Sequence, residues 1–155
     1  MISVLIPVYH LPVAWLSQCL ASVEADLAQL EAAHGDRGVA EIVLVNDGCT
    51  QDDLVSYLQS LASQPRYRVV HAQTNLGIPG ALNLGLEACR HELIARVDSD
   101  DITRPGRFAA QWQAMNAAPE IDVLGTALHY YVQRQNGAWS IGPLARHPEV
   151  ITREI

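Results

Sequence analysis

The sequence contains no lysine. All ten basic side chains are arginines, set against 17 acidic ones, for a formal charge of −7. So acidic a chain is a poor candidate for nucleic acid, where affinity comes from cations that displace counterions along the phosphates. It also has no lysine to serve a P-loop. An anionic ligand must therefore be met by an arginine, a helix N-terminus or a bound cation. Cysteine is scarce: Cys19, Cys49 and Cys89 are odd in number and far apart, with no CxxC pair. That spacing suggests neither a disulfide framework nor a zinc site, and fits buried free thiols in a reducing cytoplasm. No apolar run approaches the ~18–20 residues of a transmembrane helix. The opening residues carry no basic segment before Pro7 and read as a strand, not a signal peptide. Charged residues make up only 17% and apolar ones 49%, which argues against disorder. Ten glycines and eight prolines exclude a collagenous or low-complexity chain. The 155 residues that remain fit one domain with a sizeable core.

The hydrophobic pattern alternates strand and helix. Ser3 to Pro7 and Glu41 to Val45 are short apolar runs, as expected of strands buried on both faces. Between them Leu16, Cys19, Leu20, Val23, Leu27 and Leu30 recur at helical spacing. Thr50 or Asp52 can cap a second helix carrying Leu54, Leu58 and Leu61. Tyr67–His71 reads as a third strand, Gly77–Gly80 as a loop, Ala81–Cys89 as a short helix and Glu92–Val97 as a fourth strand. Pro105 suits the first turn of a helix with Phe108, Trp112 and Met115 inward. Ile121–Gly125 and Leu128–Val132 read as further strands, and Pro143–Ile155 as a tail with one weak helical stretch.

This alternation predicts a parallel, mostly doubly wound α/β sheet. Ligands of such sheets bind beyond the carboxyl ends of the strands. The polar clusters Pro7-Val8-Tyr9-His10, Asn46-Asp47-Gly48, Ala72–Asn75 and Asp98-Ser99-Asp100-Asp101 all follow strands, so a parallel sheet would gather them on one edge.

Asp98-Ser99-Asp100-Asp101 is the sharpest of these. Three carboxylates in four residues repel one another, and two of them an even step apart can converge on a hard cation such as Mg²⁺ or Mn²⁺. In isolation the run reads first as an Asx turn leading into a helix; at the end of a buried strand the order reverses and the cation reading is the stronger. Asp47 in Asn-Asp-Gly can accept from a ligand's N–H or hydroxyl, although Asp-Gly also makes plain turns. Asn75 to Asn83 combines turn residues with a helix start but is neither GxGxxG nor a P-loop. Tyr9 can stack on a flat ligand. The six histidines show no HExxH spacing, and Ser99 lacks a nucleophile elbow. The residues alone point to a cation that could neutralise a departing diphosphate, and leave open a nucleotidyl- or other transfer enzyme using the acidic cluster, or a non-catalytic binding module. A dinucleotide-binding Rossmann domain fits worst, because the first βα turn lacks its glycines.

Together, Ser3–Tyr9, Glu41–Thr50, Asn75-Leu76-Gly77, Ile94–Asp101, Pro105–Phe108 with Gln111, and Asp122–Thr126 resemble the family 2 glycosyltransferases with the GT-A fold. They look like the bacterial branch that builds surface polysaccharides. The resemblance implies a Rossmann-like nucleotide-diphospho-sugar-binding fold over 1–155, with the donor-binding part reaching to about residue 125 and residues 126–155 opening an acceptor-side region that continues beyond this chain. It implies a nucleotide-diphosphate-sugar donor, a divalent metal, Mn²⁺ or Mg²⁺, and a saccharide or lipid-linked acceptor, in a cytoplasmic protein that can work at the inner membrane face. It implies inverting transfer, with Pro7, Val8 and Tyr9 at the base, Asp47 hydrogen-bonded to it, and Asn75, Gly77, Arg96 and Ser99 lining the donor pocket. Asp98 would reach ribose and metal, and Asp100 would bind metal. Asn46 and Cys49 replace the more usual Asp and Ser of the second motif, and His10 stands where Asn is common. The general base is expected beyond Ile155, so these residues alone should bind donor but transfer sugar poorly. An apolar face left uncovered would support a homodimer.

Overall fold

The structure of the chain, a computed structural model, describes residues 1–34, 40–133, 139–145 and 150–152. The chain divides into two compact units, Met1–Ala110 and Gln111–Ile155.

The first unit is built on β1 (Ile2–Val8), α1 (Val13–His34), β2 (Glu41–Asn46), α2 (Asp52–Ala62), β3 (Tyr67–His71), α3 (Gly77–Ala88) and β4 (Leu93–Arg96). The four strands form one sheet in the order β3-β2-β1-β4, and all three ladders are parallel. Successive side chains of a strand point to opposite faces. Leu5, Val43 and Val45 therefore share one face, where they pack with Ala81 of α3. Val4, Ile6, Val8, Ile42 and Leu44 share the other and are fully buried. A second layer must cover them, and the buried stripes of α1 (Leu16, Leu20, Val23, Leu27) and α2 (Leu54, Leu58, Leu61) supply it. The α/β class with a mostly parallel sheet is thus present as expected.

Local details depart from the sequence reading. Neither Thr50 nor Asp52 caps α2: its N-cap is Gln51, which makes no side-chain cap bond. A missing cap costs about 1 kcal/mol. Burying a leucine is worth roughly 1.5–3 kcal/mol, so three buried leucines outweigh the cap. Residues 77–80 are not a loop but the first turn of α3. Pro79 is tolerated there because the first N–H groups of a helix have no partner to lose. Pro105 lies in the turn before α4 (Arg107–Ala117), outside the helix.

At the amino edge of the sheet, away from the polar strand ends, Glu41 is buried, with Oε1 hydrogen-bonded and Oε2 met only by longer ion-pair contacts. Its Oε1 accepts from Ser3 Oγ at 2.7 Å and from the Arg90 backbone N–H at 2.5 Å. The Arg90 guanidinium lies 3.6 Å from Oε2. A buried carboxylate is tolerable only with such partners.

The second unit holds β5 (Ile121–Leu124), β6 (Leu128–Gln133), β7 (Trp139–Ala145) and β8 (Val150–Thr152). β5 pairs with β8 and β6 with β7, both antiparallel. The weak helical stretch expected within Pro143–Ile155 is corrected where that tail is described: Pro143 to Ala145 belongs to β7 and Val150 to Thr152 to β8. Pairing with β6 and β5 decides their conformation, and a local periodicity cannot register partners so far away. Among the described residues no helix is long and apolar enough to cross a membrane.

Candidate functional site

Parallel pairing brings the polar strand ends to one edge. The Asp47 N–H donates to the Val8 carbonyl at 2.9 Å, the Ala72 N–H to Asn46 at 2.8 Å, and the Val97 N–H to Leu5 at 3.1 Å. β1 lies between β2 and β4. The turn at Asp47 and the run at Asp98 are therefore two strand spacings apart, roughly 10 Å.

Asp47 is more than a turn residue. It is buried, and its Oδ1 accepts from the Leu76 N–H at 2.7 Å, tying the end of β2 to the start of α3. Next to it Asn46 Oδ1 accepts from the Cys49 N–H at 2.8 Å, and Asn46 Nδ2 faces His71 Nδ1 at 3.2 Å. Asn46 thus closes the turn with its oxygen, as a carboxylate would, and reaches β3 with its amide nitrogen. Asn75 Oδ1 accepts from the Gly77 N–H at 3.1 Å. Tyr9 stands exposed at the end of β1, edge-on to His10, with ring centroids 4.3 Å apart. Pro7 is half-buried and the Val8 side chain fully buried, so Tyr9 is the side chain of the three that reaches solvent.

The acidic run follows β4. Asp98 Oδ1 accepts from both Arg96 Nε (3.1 Å) and Arg96 Nη2 (2.8 Å), so this guanidinium is turned onto the aspartate. The Asp101 N–H closes a turn onto the Asp98 carbonyl at 3.0 Å. Ser99 is half-buried, and Asp100 and Asp101 are exposed. Although Asp101 is exposed as a residue, its carboxyl is partly screened from water; that partial desolvation, then Asp98 and Asp100, push it up, so its charged form is disfavoured. Arg107 is the counterweight: its Nη2 donates to the Arg96 carbonyl at 2.9 Å, and Asp101, Asp26 and Asp98 hold its charge against the cost of burial.

This crowd of carboxylates fits a hard divalent cation. The donors are oxygens, and the nearby thiol of Cys19 is no ligand, as shown below. Among the described residues no three His, Cys, Asp or Glu side chains surround one point. Two carboxylates completed by a substrate's phosphates are the arrangement that Mg²⁺ favours.

Cys19, on α1, is buried and donates to the Asp98 carbonyl at 3.5 Å. Burial first, and then Asp101, Asp100 and Asp98, push its thiol from 9.0 up to about 12. Burial and the bond to Glu24 move the Tyr67 hydroxyl in the same direction. A pKa raised by folding adds stability that is complete below the unfolded value and is lost as the pH climbs through the folded one. The urea midpoint is therefore expected to fall between pH 9.0 and about 12. Cys19→Ala should flatten the lower part of that fall; an equally steep fall in the variant would count against it.

The structure brings Asp47 against the turn of Asn75 and Gly77, and Arg96 onto Asp98 with Ser99 and Asp100 next in the run, while Pro7, Val8 and Tyr9 end the intervening strand. Sequence reasoning missed Asp26, whose carboxylate binds the backbone beside Arg107. Arg107 lies within the Pro105–Phe108 motif, which by itself gives it no role. The available signal was a charged residue placed beside the apolar stripe of α1.

A parallel sheet with a clasped aspartate and an acidic run on its carboxyl edge has the architecture in which open α/β sheets bind their ligands. The chain belongs to glycosyl transferase family 2, whose pattern matches residues 3–154. It is similar to the amylovoran biosynthesis glycosyltransferase AmsE of Erwinia amylovora, 36% identical over 129 residues, covering 83% of this chain and 45% of that protein. It is also similar to the Escherichia coli UDP-Gal:alpha-D-GlcNAc-diphosphoundecaprenol beta-1,3-galactosyltransferase, 31% identical over 86 residues, covering 56% of this chain and 31% of that one. Among solved structures it resembles S. aureus TarS 1-349 in complex with UDP-GlcNAc, with a TM-score of 0.57 and 22% identity over 76% of this chain and 32% of that one. That likeness shows the GT-A fold expected from the sequence. The chain spans less than half the length of these relatives.

Proposed function

We propose that this chain carries the donor site of a glycosyltransferase that moves a sugar from a nucleoside-diphosphate sugar to an acceptor hydroxyl in surface polysaccharide synthesis. The observation that carries the reading is the spacing on one sheet edge: a clasped aspartate and an exposed tyrosine at one place, and an acidic run roughly 10 Å along. A nucleoside diphosphate has a hydrogen-bonding base at one end and an anionic group at the other, and this edge offers a partner for each.

Tyr9 stacks on the base. Asp47 accepts from a base N–H; one of its oxygens already holds Leu76, but a carboxylate has about four lone-pair sites. Pro7, Val8, Asn75, Gly77, Arg96 and Ser99 wall the pocket. Asp98 meets the ribose and, with Asp100, holds a divalent cation, Mn²⁺ or Mg²⁺. When bound, that cation would neutralise the departing diphosphate. The acceptor oxygen bonds to the anomeric carbon as the bond from that carbon to the diphosphate oxygen breaks on the opposite face, inverting the configuration; the hydroxyl proton passes to a general base. A uridine nucleotide is the first choice, supported by the UDP-sugars named for the E. coli relative and for TarS. A lipid-linked saccharide is the acceptor that the E. coli relative's name supports.

The test is calorimetric titration with UDP, GDP, TDP and CDP, each with and without Mn²⁺. Binding of UDP strengthened by Mn²⁺ is expected. Silence from all four, in a chain that melts cooperatively, would sink the reading.

A further inference from the structure

Three side chains of α1 reach the segment that carries the acidic run, and the chemistry proposed above makes no use of them. Cys19, Ser22 and Asp26 recur at steps of three and four, which places them on one stripe of the helix. Cys19 Sγ donates to the Asp98 carbonyl at 3.5 Å. Ser22 Oγ accepts from the Thr103 N–H at 2.9 Å. Asp26 accepts twice, Oδ1 from the Gly106 N–H at 2.5 Å and Oδ2 from the Phe108 N–H at 2.9 Å. The segment is thus held at its start, middle and end by one rigid helix.

Asp26 does the most. It is 1% exposed, and a carboxylate so buried would be costly without partners for its oxygens. Its two bonds go to the residues on either side of Arg107. One of them, the Phe108 N–H, lies in the first turn of α4, where backbone donors lack helical partners and negative charge is favoured. The Phe108 side chain is itself buried, so the turn cannot slide. Fixing 106 and 108 fixes the backbone of Arg107, whose guanidinium donates to the Arg96 carbonyl, two residues before Asp98, and whose charge Asp101 and Asp98 stabilise.

We propose that Asp26 is the positioning residue of the acidic run: it sets the first turn of α4, and through Arg107 the placement of Asp98 to Asp101. As a statement about ligand binding this rests on the donor reading above; as a statement about the loop it does not.

The test compares the wild-type chain, Asp26→Asn and Ser22→Ala by amide hydrogen exchange, and by calorimetry with UDP plus Mn²⁺ and UDP alone. Asp26→Asn keeps the shape but turns one acceptor into a donor facing an N–H. Exchange over 101–108 should rise by about tenfold or more relative to β1 and β2, since hydrogen bonds to charged groups are the stronger ones. UDP affinity with Mn²⁺ should fall by a similar factor while UDP affinity without metal holds. Ser22→Ala should move the same two readouts less. A merely structural role would weaken both affinities together. Equal losses with and without metal, or an unchanged loop, overturn the proposal. So does an Asp26→Asn that unfolds while Ser22→Ala leaves the loop untouched. If the wild-type chain binds no UDP, the donor reading falls by itself, and the exchange comparison still decides whether Asp26 anchors the loop.

Discussion

Asp100→Ala is expected to remove the Mn²⁺-dependent part of UDP binding, a loss of at least about a hundredfold. Outer-shell partners of a metal already cost 10- to 100-fold when changed, and a direct ligand should cost more. Asp100 is exposed and lies within a run in which carboxylates disfavour one another's charge. Removing it relieves repulsion, so the melting temperature should hold or rise while binding is lost. Asp98→Ala is less clean. It also frees the Arg96 guanidinium, which Asp98 Oδ1 binds through two nitrogens. A freed arginine can meet the diphosphate directly, so this variant should keep some metal-independent UDP binding that Asp100→Ala does not gain. Calorimetry on both variants, with a thermal melt of each, checks the pair. Metal-dependent binding that survives in both would remove Asp98 and Asp100 from the site.

The fold was legible where burial is two-sided. β1 and β2 are covered on both faces and read as unbroken apolar runs, and α1 and α2 bury one stripe each and read at helical spacing. Legibility fades with one-sided burial. In β4 and β5 the residues alternate between half-buried and exposed or stay near the surface, and β7 and β8 take their conformation from pairing with β6 and β5. The same division holds at the site. Asn-Asp-Gly and the acidic run announce themselves because their chemistry is contiguous. The Asp47–Leu76 bond spans 29 residues and exists only because β1, β2 and β3 are in register. Asp26 is further out of reach: it lies 80 residues before Gly106, and a lone carboxylate beside a leucine stripe looks like solvent-facing charge until the backbone it binds is known.

Gly48→Ala is expected to destabilise the chain by at least about 3 kcal/mol, out of the roughly 5–15 kcal/mol that holds a domain together. Gly48 has φ +71°, where a side chain costs about 1–2 kcal/mol by itself. A Cβ there would lie 2.5 Å from the Thr74 carbonyl carbon, 2.6 Å from the Asn75 nitrogen and 2.9 Å from the Thr74 oxygen. These are main-chain atoms and cannot swing aside, so the Thr74–Leu76 segment must retreat from the turn. Its retreat stretches the bond from Leu76 N–H to Asp47, a hydrogen bond to a charged acceptor worth about 1.5–3 kcal/mol. Gly106→Ala separates strain from collision. It has φ +84° but nothing within 4 Å of its Cβ, so it should cost only the conformational penalty of about 1–2 kcal/mol. At roughly 2–4 °C per kcal/mol for a chain of this size, Gly48→Ala should melt at least about 6 °C below wild type and visibly below Gly106→Ala. The binding consequence is also distinct. With Asp47 displaced, UDP affinity should fall with and without Mn²⁺ alike, the opposite pattern to Asp100→Ala, because the base end of the site and not the metal end is disturbed. Equal melting of the two glycine variants would mean that the Thr74 backbone yields freely, and that the clasp around Asp47 is not rigid.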